Sequence, residues 1–256
     1  MALSWARQRQ LNHILTVLVF LVLVGFVLFL IYKPVPNCFD NKQNQNEQGI
    51  DCGGVCSLAC SRQVQPLRID WARPLKVEDG WYDLVAQIEN LNPTLGNRSI
   101  PYTFSVYDGD NVLITKREGT TFVNAGEKFV IFESRVITGE RDVKKTFLEF
   151  PTSTPWETVS PVAKDVLIER REFTNTPKPV LHLSVSNSSL KVIKDISVIT
   201  VLSDINNNAF AASQTKIDSL EPSSRRETYF TWLTPFSSDP SYIESYWRIN
   251  SFNLTK

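Results

Sequence analysis

The chain has 256 residues, with 27 basic and 27 acidic side chains, two histidines and four cysteines. A net charge of zero and no basic run exclude a nucleic-acid binder, which needs clustered cations to neutralise phosphates. Enzyme signatures are missing too: there is no Gly-rich phosphate loop, HExxH, Rossmann fingerprint or G-x-S-x-G elbow, so no catalytic residue is assigned and no cofactor is implied.

The first predicted element is a membrane span. Ile14 to Ile31 is an uninterrupted apolar run in which Thr16 and Gly25 alone are not strongly hydrophobic. Spanning hydrocarbon takes about 20 apolar helical residues, and a soluble core helix would carry a polar stripe. With Leu11 and Tyr32 at its edges, the run predicts a transmembrane helix over 11–32 behind a cytoplasmic stub of 1–10. A cleaved signal would be shorter and end in small residues, whereas Tyr32, Lys33, Pro34, Val35 and Pro36 follow. Arg7 and Arg9 precede the span and Lys33 follows it, which favours a cytoplasmic N-terminus and extracytoplasmic C-terminal domains at the cell membrane.

Residues 33–64 form a small Cys-rich segment holding every cysteine: Cys38, Cys52, Cys56 and Cys60. In an oxidising compartment four cysteines read as a disulfide framework, with three pairings open. A four-thiolate zinc site would more often show paired C-x2-C knuckles. Asp40, Asn44, Asn46, Glu47 and Asp51 make an oxygen-rich set that would suit calcium, a hard cation taking 6 to 8 oxygens. The competing reading is a crosslinked spacer with solvated polar residues. An EF-hand is excluded, because counting from Asp40 puts Lys42 third and Gln45 sixth.

Cys38, Asp40, Asn44, Glu47, Gly49, Asp51, Cys52, Gly53, Gly54 and Cys56 stand in an order that resembles the DCGG-type cysteine motif of secreted and surface proteins. Two departures occur: Asn46 stands where the pattern usually has Asp, and Cys56 and Cys60 are separated by three residues instead of two.

Beyond Cys60 the pattern becomes period-two. Tyr82, Leu84, Ala86 and Ile88 alternate with Trp81, Asp83, Val85 and Gln87; Ile100, Tyr102, Phe104 and Val106 follow, then Phe129 and Ile131. Such alternation predicts half-buried strands, with turns at Asn92, Pro93, Gly96, Asp108, Gly109, Asp110, Gly119, Asn124 and Gly126. A second series covers Val166–Phe173, Val180–Ser186, Ile193–Ser203, Phe210–Lys216, Glu227–Trp232 and Tyr246–Phe252. Sliding the chain by about 97 residues lays Asn90 on Asn187 and brings Asp108 to Asp204. The prediction is a mainly β chain with two tandem immunoglobulin-like sandwiches, residues 65–151 and 164–256, joined by a linker over 152–163.

The segments VAQIEN and PYTFSVYDGDNVLITKREGTTFVNAGEKFVIFE in the first repeat, and HLSVSN and ISVITVLSDINNNAFAASQTKIDSLEPSSRRETYFTW in the second, resemble FxLYD-type and water-stress-type sandwich domains of bacterial envelope proteins. That likeness implies fold far more than function.

Within the repeats His182 lies on an alternating strand, where a hydrogen-bonded strand histidine outweighs a catalytic one. Trp71, Trp81, Trp156, Trp232 and Trp247 are read as packing in preference to a sugar platform. Sequons at Asn97, Asn187 and Asn253 occur at the frequency composition gives and carry no weight. The expectation is a single-pass, membrane-anchored extracytoplasmic binding or scaffolding protein of the cell envelope with a protein partner. The alternative is an accessory subunit or sensor of a membrane complex acting through its transmembrane helix.

Overall fold

The computed structural model describes residues 5–32, 37–152 and 154–253, and the chain divides into two compact units, Met1–Cys56 and Ser57–Lys256. The first unit opens with helix α1, Trp5–Tyr32, whose 28 residues give a rod about 42 Å long at 1.5 Å per residue. From Arg7 to Tyr32 it is long and apolar enough to cross a membrane, and none of that stretch is buried in the protein. Thr16, a polar residue in the run, turns its hydroxyl onto the carbonyl of Asn12 at 2.8 Å, so the helix satisfies it internally.

The second unit is built from strands. The first repeat contains β1 (Arg68–Glu78), β2 (Trp81–Glu89), β3 (Leu95–Tyr107), β4 (Leu113–Val123), β5 (Lys128–Ile137), β6 (Lys145–Glu149) and the short β7 (Glu157–Thr158). The second contains β8 (Val166–Thr174), β9 (Val180–Asn187), β10 (Ile193–Ser203), β11 (Ala209–Leu220), β12 (Arg225–Thr231) and β13 (Tyr242–Arg248). Strands β1-β2-β5 form one sheet and β4-β3-β6, with β7 on β3, another; β11-β10-β13 and β12-β9-β8 form the other two. Every pairing is antiparallel.

Three apolar layers separate the four sheets. Leu84, Ile88, Phe104, Val106 and Phe129 fill the first sandwich, and Leu181, Leu183, Ile196, Val198 and Phe230 fill the second. A third layer joins the two: Leu75, Val85 and Val130 meet Ile199, Val201 and Ala212. The sheets containing β2 and β10 are therefore covered on both faces, while the sheets containing β3 and β9 are outermost. Here the half-buried strands expected from alternation differ from what forms. Val85 and Gln87, on the face opposite Leu84, are buried too, because the second sandwich lies over them.

The repeats share local devices. Asn90 follows β2 directly and donates its amide to the carbonyls of Leu95 and Asn124; Asn187 ends β9 and donates to Lys191, Leu220 and Glu221. Asp108 accepts the N–H groups of Asp110 and Val112, and Asp204 those of Asn206 and Asn208. In both hairpins an asparagine takes the left-handed conformation, Asn111 at φ 62° and Asn207 at φ 60°. Asparagine tolerates that region because its short side chain can bond locally.

The fold departs from the sequence pattern in three places. Gly96 and Gly119 lie inside β3 and β4, not in turns: a Cβ at Gly96 would sit 2.5 Å from the Val123 carbonyl oxygen, and one at Gly119 would sit 2.4 Å from the Tyr102 hydroxyl. They are small so that neighbours can approach. The segment 152–163 is also more than a tether. Trp156 and Val159 are buried, β7 pairs with Leu95 and Gly96, and Trp156 accepts the Ala59 N–H at 2.7 Å. The last strand begins at Tyr242, earlier than alternation from Tyr246 suggests, and Ser251–Asn253 closes the chain as a 3-10 turn.

Candidate functional site

In the Cys-rich segment Cys38 is bonded to Cys56, and Cys52 and Cys60 are also disulfide-bonded, so no thiolate is left to hold zinc. Within the first unit the carboxylates of the predicted calcium set accept hydrogen bonds from the loop that carries them. Asp51 accepts the N–H groups of Asp40 and Asn41 at 3.0 and 2.9 Å. Glu47, 6 % exposed, accepts those of Asn44 and Asp51, and its other oxygen lies 3.2 Å from the Cys56 sulfur. Asp40 accepts the Asn44 amide at 2.8 Å, and that bond chiefly holds its carboxyl below the usual range. Asn46 adopts φ 66° and is exposed.

Among the described residues Asp40, Glu47 and Asp51 are not gathered around one point; the close cluster is Glu47 with the bonded Cys38 and Cys56. Four of the five, Asp40, Asn44, Glu47 and Asp51, are hydrogen-bonded within the loop. One oxygen stands apart from that account: Asn44 Oδ1 is buried without a partner.

His182 sits on the outer face of its sheet, opposite Tyr229 on β12 and Glu172 on β8. Its ring stacks on Tyr229 with centroids 4.5 Å apart, and Nε2 lies 2.6 Å from a Glu227 oxygen. Ser184 donates to the other Glu227 oxygen at 3.1 Å. Burial pushes the Glu227 carboxyl up, and the bonds from His182 and Ser184 outweigh it and bring it below its ordinary value. A nucleophilic relay needs the hydroxyl on the imidazole. Here the carboxylate stands between the two, so the group is a polar ladder across strands.

The sequons at Asn97 and Asn187 are structural positions. Asn97 is buried, donates to the Pro155 carbonyl at 2.9 Å and accepts the Ser99 N–H. The tryptophans mostly pack: Trp156 in the first core, Trp232 and Trp247 against the second, Trp71 against the shared layer, with Trp81 more open.

Sequence reasoning missed the junction between the sandwiches, where Arg248 at the end of β13 is 6 % exposed. Its Nε and Nη2 donate to the two Glu127 oxygens at 2.8 and 3.1 Å, Nη1 donates to Thr121 at 3.0 Å, and Nη2 also reaches the Phe122 carbonyl. The guanidinium carbon lies 4.2 and 4.0 Å from the ring centroids of Phe122 and Phe129. Asn124, expected as a turn residue, donates to the Ile249 carbonyl and accepts the Ser251 N–H. A lone Arg in an alternating strand carries no signal of such a role; only the partner 121 residues away defines it. Beside Arg248 the sandwiches part to leave a cleft of about 380 Å³. Tyr102 lines it and donates to Glu133; burial, then that carboxylate, pushes its phenol far up.

No protein-family model matches the chain, and no curated protein matches it. Among solved structures it is similar to a red sea bream transglutaminase, at 11 % identity and a TM-score of 0.25, over 73 % of this chain and 30 % of that one.

Proposed function

We propose that the chain is a single-pass membrane-anchored binding or scaffolding protein of the cell envelope, acting without catalysis, with its N-terminus cytoplasmic and everything beyond Tyr32 outside. The observation that carries this reading is the succession of one apolar helix and a segment whose four cysteines are all disulfide-bonded. Disulfides persist in oxidising compartments, which lie on the far side of the membrane from the cytoplasm. The basic flank of Arg7 and Arg9 agrees with that orientation, as does the resemblance to DCGG-type and envelope sandwich domains. Protease added to intact cells should degrade an epitope at the C-terminus; an untouched C-terminal portion, or a mature form beginning downstream of Lys33, overturns the reading.

The Cys-rich segment then serves as a crosslinked collar, its carboxylates occupied by the loop's own N–H groups. Adding calcium to the purified full chain should leave Tm unchanged. A rise saturating near 10⁻⁴ to 10⁻³ M, the range of extracellular modules, would replace the collar with an ion site at Asp40 and Asn44.

A sensor or accessory-subunit role is favoured by one feature, the α1 surface left wholly open for packing against another membrane helix. Exchanging the span for an unrelated apolar helix separates the two: an anchor keeps function and a sensor loses it.

A further inference from the structure

Where the two inner sheets face each other, their contact is apolar at Ile199 and changes character two residues earlier on the same strand. Strand register places Ser197 between Lys216 on β11 and Arg248 on β13, so these three side chains form a row on the face that carries Ile199. The row borders the 380 Å³ cleft, which has the size of a small-molecule site, about 300 to 1,000 Å³.

The charges in the cleft are uneven. Glu127 balances Arg248, and Glu157 balances Arg98, a further lining residue. Lys216 is exposed and joins no ion pair among the described residues, and no carboxylate lines the cleft. Asp218, two residues on along the same face of β11, is exposed and outside the lining. Arg248 uses four of its five N–H groups on Glu127, Thr121 and Phe122, which leaves one on Nη1. Ser197 accepts the Gln214 amide at 2.7 Å and keeps its own hydroxyl proton to donate. The rest of the lining is mixed: hydroxyls that both donate and accept, such as Thr120, the Gln214 amide, aromatic rings such as Phe122 and Phe132, and the aliphatic Val130, Ile131 and Ile199.

We infer that this cleft binds an acidic saccharide, its carboxylate held by Lys216 and the free Arg248 N–H, its hydroxyls exchanging hydrogen bonds with Ser197 and Thr120, and an apolar sugar face against the half-buried Phe122. One carboxylate of such a ligand meets the one unbalanced cation, and its hydroxyls and apolar ring faces match a lining of hydroxyls and apolar groups. The choice of a sugar acid rests on the extracytoplasmic reading above, because such glycans are extracellular material; the geometry of the cleft does not.

The test is calorimetric titration of the purified full chain in detergent with tri-galacturonate, its neutral methyl ester and an acidic dipeptide. Tri-galacturonate should bind with saturable heat, and the ester and the dipeptide at least about tenfold more weakly. Lys216→Gln should weaken tri-galacturonate about tenfold, the effect of one charge-assisted hydrogen bond, with Tm unchanged because Lys216 is exposed and unpaired. No heat at millimolar tri-galacturonate, equal binding of the ester or dipeptide, or a Lys216→Gln variant that binds like wild type would each overturn the inference. Topology is read separately by the protease experiment: a silent titration with an accessible C-terminus removes the ligand and keeps the anchored binding protein, and the converse pair of results does the reverse.

Discussion

At the corner between β4 and β5 the left-handed residue is Gly126, φ 60°; 97 residues later, between β11 and β12, it is Ser223, φ 53°. The backbone turns the same way in both sandwiches, although glycine takes that conformation freely and serine pays about 1 to 2 kcal/mol for it. The nearby asparagines go the other way: Asn90 and Asn187 are the same residue in the same role. A buried amide that saturates several carbonyls admits no easy substitute, whereas a left-handed corner tolerates a costly residue when the surrounding bonds hold it.

The largest loss of stability is expected between the repeats. Arg248→Ala removes one partner of a buried ion pair and leaves Glu127 uncompensated, which should lower stability by about 3 to 5 kcal/mol in chemical denaturation. Next come Asn90→Ala and Asn187→Ala, each orphaning buried carbonyls at about 1 to 3 kcal/mol. Equal losses would support one shared device, and a loss in one repeat alone would break it. The corners sharpen it further. Gly126→Ala should cost about 1 kcal/mol and Ser223→Gly should gain up to about 1 kcal/mol, read as opposite shifts in Tm. The smallest effect concerns acid. The hydrogen bonds from Val112 and Asn208 chiefly hold the Asp108 and Asp204 carboxyls below their ordinary value. Their contribution is therefore fully present above the usual carboxylate range and is lost as pH falls through the depressed values. Wild type should lose Tm more steeply below pH 4 than the variant carrying Asp108→Asn and Asp204→Asn.

Much of this architecture was legible in the residues. Alternation placed the strands, the offset near 97 paired Asn90 with Asn187, and the apolar run marked the helix, because each signal is local or periodic. What escaped depended on distant partners. Val85 read as one half of an alternating pattern, yet Ile199 and Val201 cover it, and Val130 beside it, from more than 60 residues away. Gly119 resembled a turn until Tyr102 was seen against it. The Cys-rich segment offered ligand-like oxygens, and sequence order could not reveal that Asp51 and Glu47 spend them on nearby N–H groups. Lys216 and Arg248 were plain cations until strand register set Ser197 between them.

The apolar layer shared by the two sandwiches also governs how the protein is made. The half synthesised first must wait, with Val85 and Val130 bare, until the segment carrying Ile199, Val201 and Ala212 has been produced. A nascent or clipped product ending in the stretch before β8 would display that sticky plane and invite aggregation or a holding chaperone, so neither sandwich should be obtainable as a well-behaved fragment.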